Sequence, residues 1–348
     1  MMKFPAAFCI ACTAMFALSS CALLSGDSPA LTRKNLVDIG GGRRMNIVCM
    51  GHGTPTVVFD YGLGSHLLHW QKVAEPVAAM TRACFYDRAG YGYSDPSPRP
   101  MTADNVTNDL HALLEKAGIP GPIVLVGHSA GGLYATLYSD KFGPDVAGLV
   151  LIDPGFAGLL EQHERTLTAD EKRLERTHFE KDIADIRTCA NLAREGRLSL
   201  ADPHDCFKMA PGRTPAEIAY LADQFLKPFR YESIVSELQS GRPPETGLSE
   251  DSQEETGAAR PFGDKPVIVL TASIEPPGAD YDDAERKAWT IRWKAGHDAL
   301  AARSTRGESI FVPDSGHYIQ VEQPAAVIDA IRKVVLQVRE SQAGGANR

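Results

Sequence analysis

The sequence predicts an α/β protein whose mainly parallel sheet is buried on both faces. Three observations carry that prediction. Short Val/Ile/Leu-rich runs alternate along the chain with segments of helical periodicity. The runs are continuously apolar, as in strands covered by helices on either side, and do not alternate apolar with polar. Several of them stop abruptly on glycine-rich stretches. With 348 residues, 43% hydrophobic and 23% charged, the chain suffices for one large domain or a core with a modest second module. A formal net charge of −8 without any Lys/Arg run argues against a nucleic-acid partner, which would require a basic face.

The first 20 residues fall outside this pattern. Lys3 precedes FPAAFCIACTAMFAL, an apolar stretch too short to span a bilayer comfortably and typical of a secretory signal. Leu18-Ser19-Ser20-Cys21 resembles the lipobox of bacterial lipoproteins, in which the cysteine becomes the lipid-modified first residue. That resemblance implies lipidation at Cys21, a membrane partner through the lipid, and a periplasmic location. Ala22 after the cysteine, where Asp is absent, points to the outer membrane. The alternative is an unlipidated signal peptide cut nearby. Residues 21–30 then form a linker.

The core is read in two parts, 31–154 and 265–340, with a tail at 341–348. LVDIGGGRRMNIVCMG is a hairpin of two strands, and PTVVFDYGLG is a strand ending on glycines. ACFYDRAGYGYSDP repeats that design, and residues 102–117 carry Val106, Leu110, Leu113 and Leu114 at helical spacing. PIVLVGHSAGGLYATLYSDKFG runs a strand directly into a helix, and VAGLVLIDPG is again a strand. The rhythm breaks over 155–264, where polar helices are expected at 169–195 and 214–240, followed by an acidic Gly/Pro-rich linker. PVIVLTAS resumes the sheet, with a helix over 283–304, the strand ESIFVPD and a helix over 324–339. The middle segment is therefore a cap inserted into one sheet.

Export allows disulfides. Cys189 and Cys206 lie close together in one polar region and are expected to pair, stabilising the fold by about 3 kcal/mol. Cys49 and Cys84, each in a strand, read as buried free thiols. No CxxC or Cys/His cluster suggests a metal.

The G-x-S-x-G of Gly127-His128-Ser129-Ala130-Gly131 is weak by itself, but here it sits between a strand and a helix. A nucleophile there needs small neighbours, because the serine is held in a strained turn. The duller alternative is a glycine-rich helix entry that Ser129 merely caps. A serine nucleophile requires a base. His317, in IFVPDSGHYIQ, follows the last strand at the sheet's carboxyl edge, whereas the remaining histidines lie on helices, in loops or within the elbow itself. The acid has two candidates, Asp153 after LVLID and Glu275 after PVIVLTAS, with Asp153 preferred. The oxyanion donors are expected to be the amides of Ala130 and of Leu63, where Gly62 lets the backbone approach.

DYGLGSHLLHW, YDRAGYGYSDP, LVGHSAGG, LVLIDP and SGHYIQ, in that order, resemble the α/β-hydrolase fold family over nearly the whole mature chain. The resemblance implies an eight-stranded, mostly parallel sheet with helices on both faces, a helical cap after the sixth strand, and a Ser-His-acid triad working without a cofactor. Ser129 and His317 carry over from the matched motifs. Two departures stand out: Tyr61-Gly62 replaces the His-Gly of many relatives, and TASIEPP is an imperfect match to their usual acid-bearing segment, whereas Asp153 matches the position some members use. A serine nucleophile argues against halide or epoxide hydrolysis. The resulting expectation is a carboxylesterase acting on a small or medium ester. Amide, lactone, thioester or C–C bond hydrolysis with the same triad, or a non-catalytic ligand-binding lipoprotein, are the alternatives.

Overall fold

The computed structural model describes residues 29–273 and 283–346. Strands β1 (Leu36–Gly40), β2 (Arg43–Met50), β3 (Val57–Asp60), β4 (Ala83–Tyr86), β5 (Ile123–His128), β6 (Val146–Ile152), β7 (Gly263–Ala272) and β8 (Ser304–Val312) form one eight-stranded sheet. Its order is β1-β2-β4-β3-β5-β6-β7-β8. β2 pairs antiparallel with β1 and β4, and every pairing from β4 to β8 is parallel.

Both faces are apolar because successive residues of each central strand point to opposite sides. Val57 and Phe59, Val124 and Val126, and Ile268 and Leu270 enter one core. Val58, Leu125, Leu149 and Val269 enter the other. Helices α1 (Gln71–Ala78) and α11 (Pro324–Ala346) supply Val73, Val77, Val327 and Ile331 to the first core. Helices α2 (Ala103–Lys116), α3 (Ala130–Lys141) and α9 (Asp283–Ala302) supply Leu110, Leu113, Tyr138 and Leu300 to the second. Strand order reverses between β3 and β5, so the loops leaving their carboxyl ends diverge and open a crevice there.

The cap follows β6 and comprises α4 (Leu159–Glu164), α5 (Ala169–Arg194), α6 (Pro215–Phe225), α7 (Pro228–Gly241) and α8 (Glu250–Ala258). Thr168 and Thr214 open α5 and α6 with capping boxes to Glu171 and Glu217. Three expectations change here. The helix read over 214–240 is two helices, since Pro228 cannot continue α6 and instead starts α7. The acidic stretch read as linker contains α8, where Asp251, Glu254 and Glu255 bond to backbone amides of other segments. Asp251 Oδ1 accepts from the Ala103 amide at 2.8 Å, Glu254 Oε2 from the Asp104 amide at 2.7 Å, and Glu255 Oε2 from the Ala157 amide at 2.9 Å. Two of these satisfy the orphan amides at the start of α2, where negative charge is favoured.

The third correction concerns the thiols. Cys49 and Cys84 lie directly opposite each other in the antiparallel β2–β4 pair, with Cα atoms 4.1 Å apart, and form a disulfide. Two strands read separately did not reveal this cross-strand register. Cys189 and Cys206 form the expected disulfide, which ties the end of α5 to the following loop. Cys21 and the leader lie outside the described residues, as does Glu275. Among the described residues no helix is long and apolar enough to cross a membrane.

Candidate active site

Ser129 stands between β5 and α3 with φ 55° and ψ −122°, a conformation that L-residues seldom adopt. The neighbouring glycines are steric necessities. A Cβ on Gly127 would lie 2.3 Å from the Gly131 carbonyl oxygen, and one on Gly131 would lie 2.7 Å from the carbonyls of Asp60 and Tyr61. The Ser129 side chain makes no capping bond to α3, which removes the structural reading of this serine. Its backbone is clamped to the adjoining turn: Ser129 N donates to Ile152 O at 3.1 Å, and Gly155 N donates to Ser129 O at 2.9 Å.

Asp153 leaves β6 at φ 44° and is fully buried. Its Oδ2 lies 2.6 Å from His317 Nδ1, while Oδ1 accepts from the Ala272 amide at 3.0 Å and from Trp293 Nε1 at 2.7 Å. Burial by itself would raise the Asp153 pKa. The hydrogen bond and charge of His317, with His297 and the Trp293 bond, outweigh it and hold the carboxyl below its ordinary value. An ionised Asp153 fixes the proton on His317 Nδ1 and puts the basic lone pair on Nε2. The backbone oxygen of His317 accepts from His128 Nε2 at 2.9 Å. Burial, reinforced by the nearby His317 ring, keeps His128 far below the usual imidazole pKa and therefore neutral.

The loop after β3 approaches the elbow closely, since a Cβ on Gly62 would lie 3.0 Å from Ser129 Cβ. Among the described residues neither the Leu63 amide nor the Ala130 amide has an intramolecular acceptor. Arg88 holds this loop in shape. It is buried and donates from Nη1 to Asp60 Oδ1 at 2.6 Å and to the Tyr61 carbonyl at 2.5 Å, and from Nη2 to the Gly62 carbonyl at 3.1 Å. The Tyr61 hydroxyl accepts from the Arg88 amide at 3.2 Å.

The fold thus seats His317 on Asp153 and lays the loop that carries Leu63 against the Ser129–Ala130 turn. Sequence reasoning missed Arg88, Trp293 and Glu237. An arginine beside the apolar ACFYD run was a visible signal for the first. Trp293 and Glu237 lie on long helices with nothing in their spacing to single them out.

A family profile described as "Alpha/beta hydrolase family" matches residues 48–330, most of the chain. The chain belongs to that family, as a hydrolase of the capped, parallel-sheet kind. It is 30% identical over 145 residues to the Bacillus subtilis protein YqjL, covering 39% of this chain and 57% of that one. It is 36% identical over 110 residues to the lipase LipV of Mycobacterium tuberculosis, covering 30% of this chain and 39% of the lipase. The matching stretch is less than two thirds of either relative. A thermophilic esterase from Thermogutta terrifontis shares the fold, with a TM-score of 0.57 at 19% identity over 88% of this chain and 99% of the esterase.

Proposed function

We propose that the chain is a serine hydrolase of carboxylic esters, exported and held at the periplasmic side of the outer membrane by a lipid on Cys21. The observation that carries the catalytic half is the strained Ser129 turn beside a His317–Asp153 pair with 2.6 Å between Nδ1 and Oδ2. In the proposed reaction Ser129 Oγ attacks the acyl carbonyl while His317 Nε2 takes its proton. The amides of Leu63 and Ala130 receive the oxyanion, each donor contributing on the order of 10²-fold. The imidazolium then protonates the departing alcohol, and water, activated by the same nitrogen, releases the acid and restores Ser129. The chemistry needs no group beyond the chain and water. The two disulfides support export, because such bonds persist in oxidising compartments.

The test is turnover of nitrophenyl esters from acetate to decanoate by the mature protein beside a Ser129→Ala variant. Turnover confined to the unaltered protein supports the reading, and its chain-length profile sizes the acyl pocket. A folded protein with no ester turnover overturns it. Incorporation of labelled palmitate in cells, lost in Cys21→Ala, tests the anchor.

A further inference from the structure

Arg230 on α7 is 5% exposed, yet its guanidinium has one hydrogen bond, from Nη2 to the Gly64 carbonyl at 2.6 Å. Its Nε and Nη1 have no partner, and among the described residues no carboxylate pairs with it. The neighbouring cations are matched differently: Arg88 has Asp60 and Glu237, and Arg213 has Glu217. A buried cation ordinarily carries a counter-charge, because its desolvation is otherwise uncompensated. The side chain is held by other means. It stacks on Phe225 at 4.8 Å and Tyr91 at 5.5 Å from the ring centroids.

Its position relative to the serine follows from two connections. Gly64, which anchors it, is two residues from Gly62, which abuts Ser129. A continuous series of ring contacts also leads from the base to Arg230. His317 meets Tyr318 (5.6 Å between centroids), Tyr318 meets His69 (5.1 Å), His69 stacks on His66 (4.3 Å), and His66 meets Phe225 (6.0 Å). The side chains linking the two are aromatic and uncharged at neutral pH, since burial, with smaller contributions from nearby charges, holds His66 and His69 well below the usual imidazole pKa.

We infer that Arg230 is the binding site for an anionic group of the substrate, a carboxylate on the acyl or alcohol portion of the ester. This inference rests on the serine hydrolase reading and adds the substrate's charge to it. The aromatic wall would carry the intervening carbon chain, and the carboxylate would supply the counter-charge the protein omits. Charge-assisted bonds of this kind, in a desolvated site, discriminate strongly against an uncharged analogue.

Two measurements on the mature protein test it. The first compares kcat/KM for a nitrophenyl hemisuccinate with the butyrate, and for 4-acetoxybenzoate with phenyl acetate, in the unaltered protein and Arg230→Met. One anionic ester is expected to be preferred at least tenfold over its neutral counterpart, chiefly through KM, and Arg230→Met is expected to abolish that preference while Arg230→Lys keeps part of it. The second titrates succinate, glutarate and benzoate against their uncharged amides by calorimetry, which requires no turnover. A carboxylate bound at least tenfold tighter than its amide, with the advantage lost in a folded Arg230→Met, supports the inference. Equal affinity for acids and amides, or a preference that survives Arg230→Met, overturns it. Loss of all Ser129-dependent turnover with carboxylate binding intact would instead refute the hydrolase reading and leave the anion site standing.

Discussion

Glu237, on cap helix α7, faces the buried Arg88 of the core, with Oε1 3.0 Å from Nε and Oε2 3.3 Å from Nη2. The same guanidinium grips the carbonyls of Tyr61 and Gly62, so the cap and the loop beside Ser129 share one cation. Glu237→Ala removes the cap's half of this pair and leaves Arg88 buried with Asp60 alone. Breaking a buried pair from one side costs about 3–5 kcal/mol. Urea unfolding is expected to show that loss, and ester turnover is expected to fall with it because the loop carrying Leu63 loses its brace. Loss of stability with full turnover would separate the cap from the loop that carries Leu63.

Trp293 donates to the Asp153 oxygen that His317 does not use. Trp293→Phe keeps a ring in the core but deletes the N–H, so Asp153 Oδ1 retains the Ala272 amide alone. A hydrogen bond to a charged group is worth about 1.5–3 kcal/mol. Stability is expected to fall by about that amount and kcat several-fold, whereas Asp153→Asn is expected to lower kcat by about 10³-fold or more through the wrong imidazole tautomer. Steady-state kinetics of the two variants gives the comparison. Equal losses would mean that the indole bond is as important as the carboxylate charge.

Two buried groups impose opposite pH dependences. His69 is held down to about 4, by burial first and the Arg213 and Arg230 charges second. A folded pKa below the unfolded one gives stability that is complete above about 6.5 and is lost as pH falls toward 4, up to about 3 kcal/mol. His69→Gln is therefore expected to flatten the fall in Tm between those limits. Glu255 is pushed up to about 7, chiefly by burial. A raised carboxyl costs nothing below about 4.5, and stability is lost as pH rises from there through about 7, so Glu255→Gln is expected to gain on the unaltered protein between pH 5 and 7. Thermal melts across pH 4–8 read both slopes, and parallel curves for either variant would contradict its assignment.

The two disulfides span 35 and 17 residues of sequence. Chain-entropy arguments give about 4 kcal/mol for the longer loop and about 3 kcal/mol for the shorter. A Cys49→Ser/Cys84→Ser protein is expected to lose more stability to urea than Cys189→Ser/Cys206→Ser. The first also leaves a polar group at the buried position of Cys84, and a smaller loss there would contradict the ordering.

The central strands were legible as continuous apolar runs, and Gly127 and Gly131 sit where a side chain would collide. Ser129 and Asp153 could be singled out because each follows directly on a strand, and His317 because it lies in the loop after the last one. The rest depended on distances between segments far apart in sequence. The Cys49–Cys84 bond is set by the pairing of β2 with β4. Asp251, Glu254 and Glu255 look like solvated linker until α8 is laid against α2 and the loop after β6. Glu237 and Trp293 are unremarkable in their own helices, and they acquire meaning from the Arg88 guanidinium and the Asp153 carboxylate that other elements bring to them.

The central claim is that His317, oriented by Asp153, activates Ser129. The most direct test is the rate at which a fluorophosphonate modifies the protein, followed by intact mass and peptide mapping. One adduct on Ser129 is predicted, forming at least 10³-fold faster than in a folded His317→Ala variant. An adduct elsewhere, no adduct, or an equal rate without His317 would contradict the account.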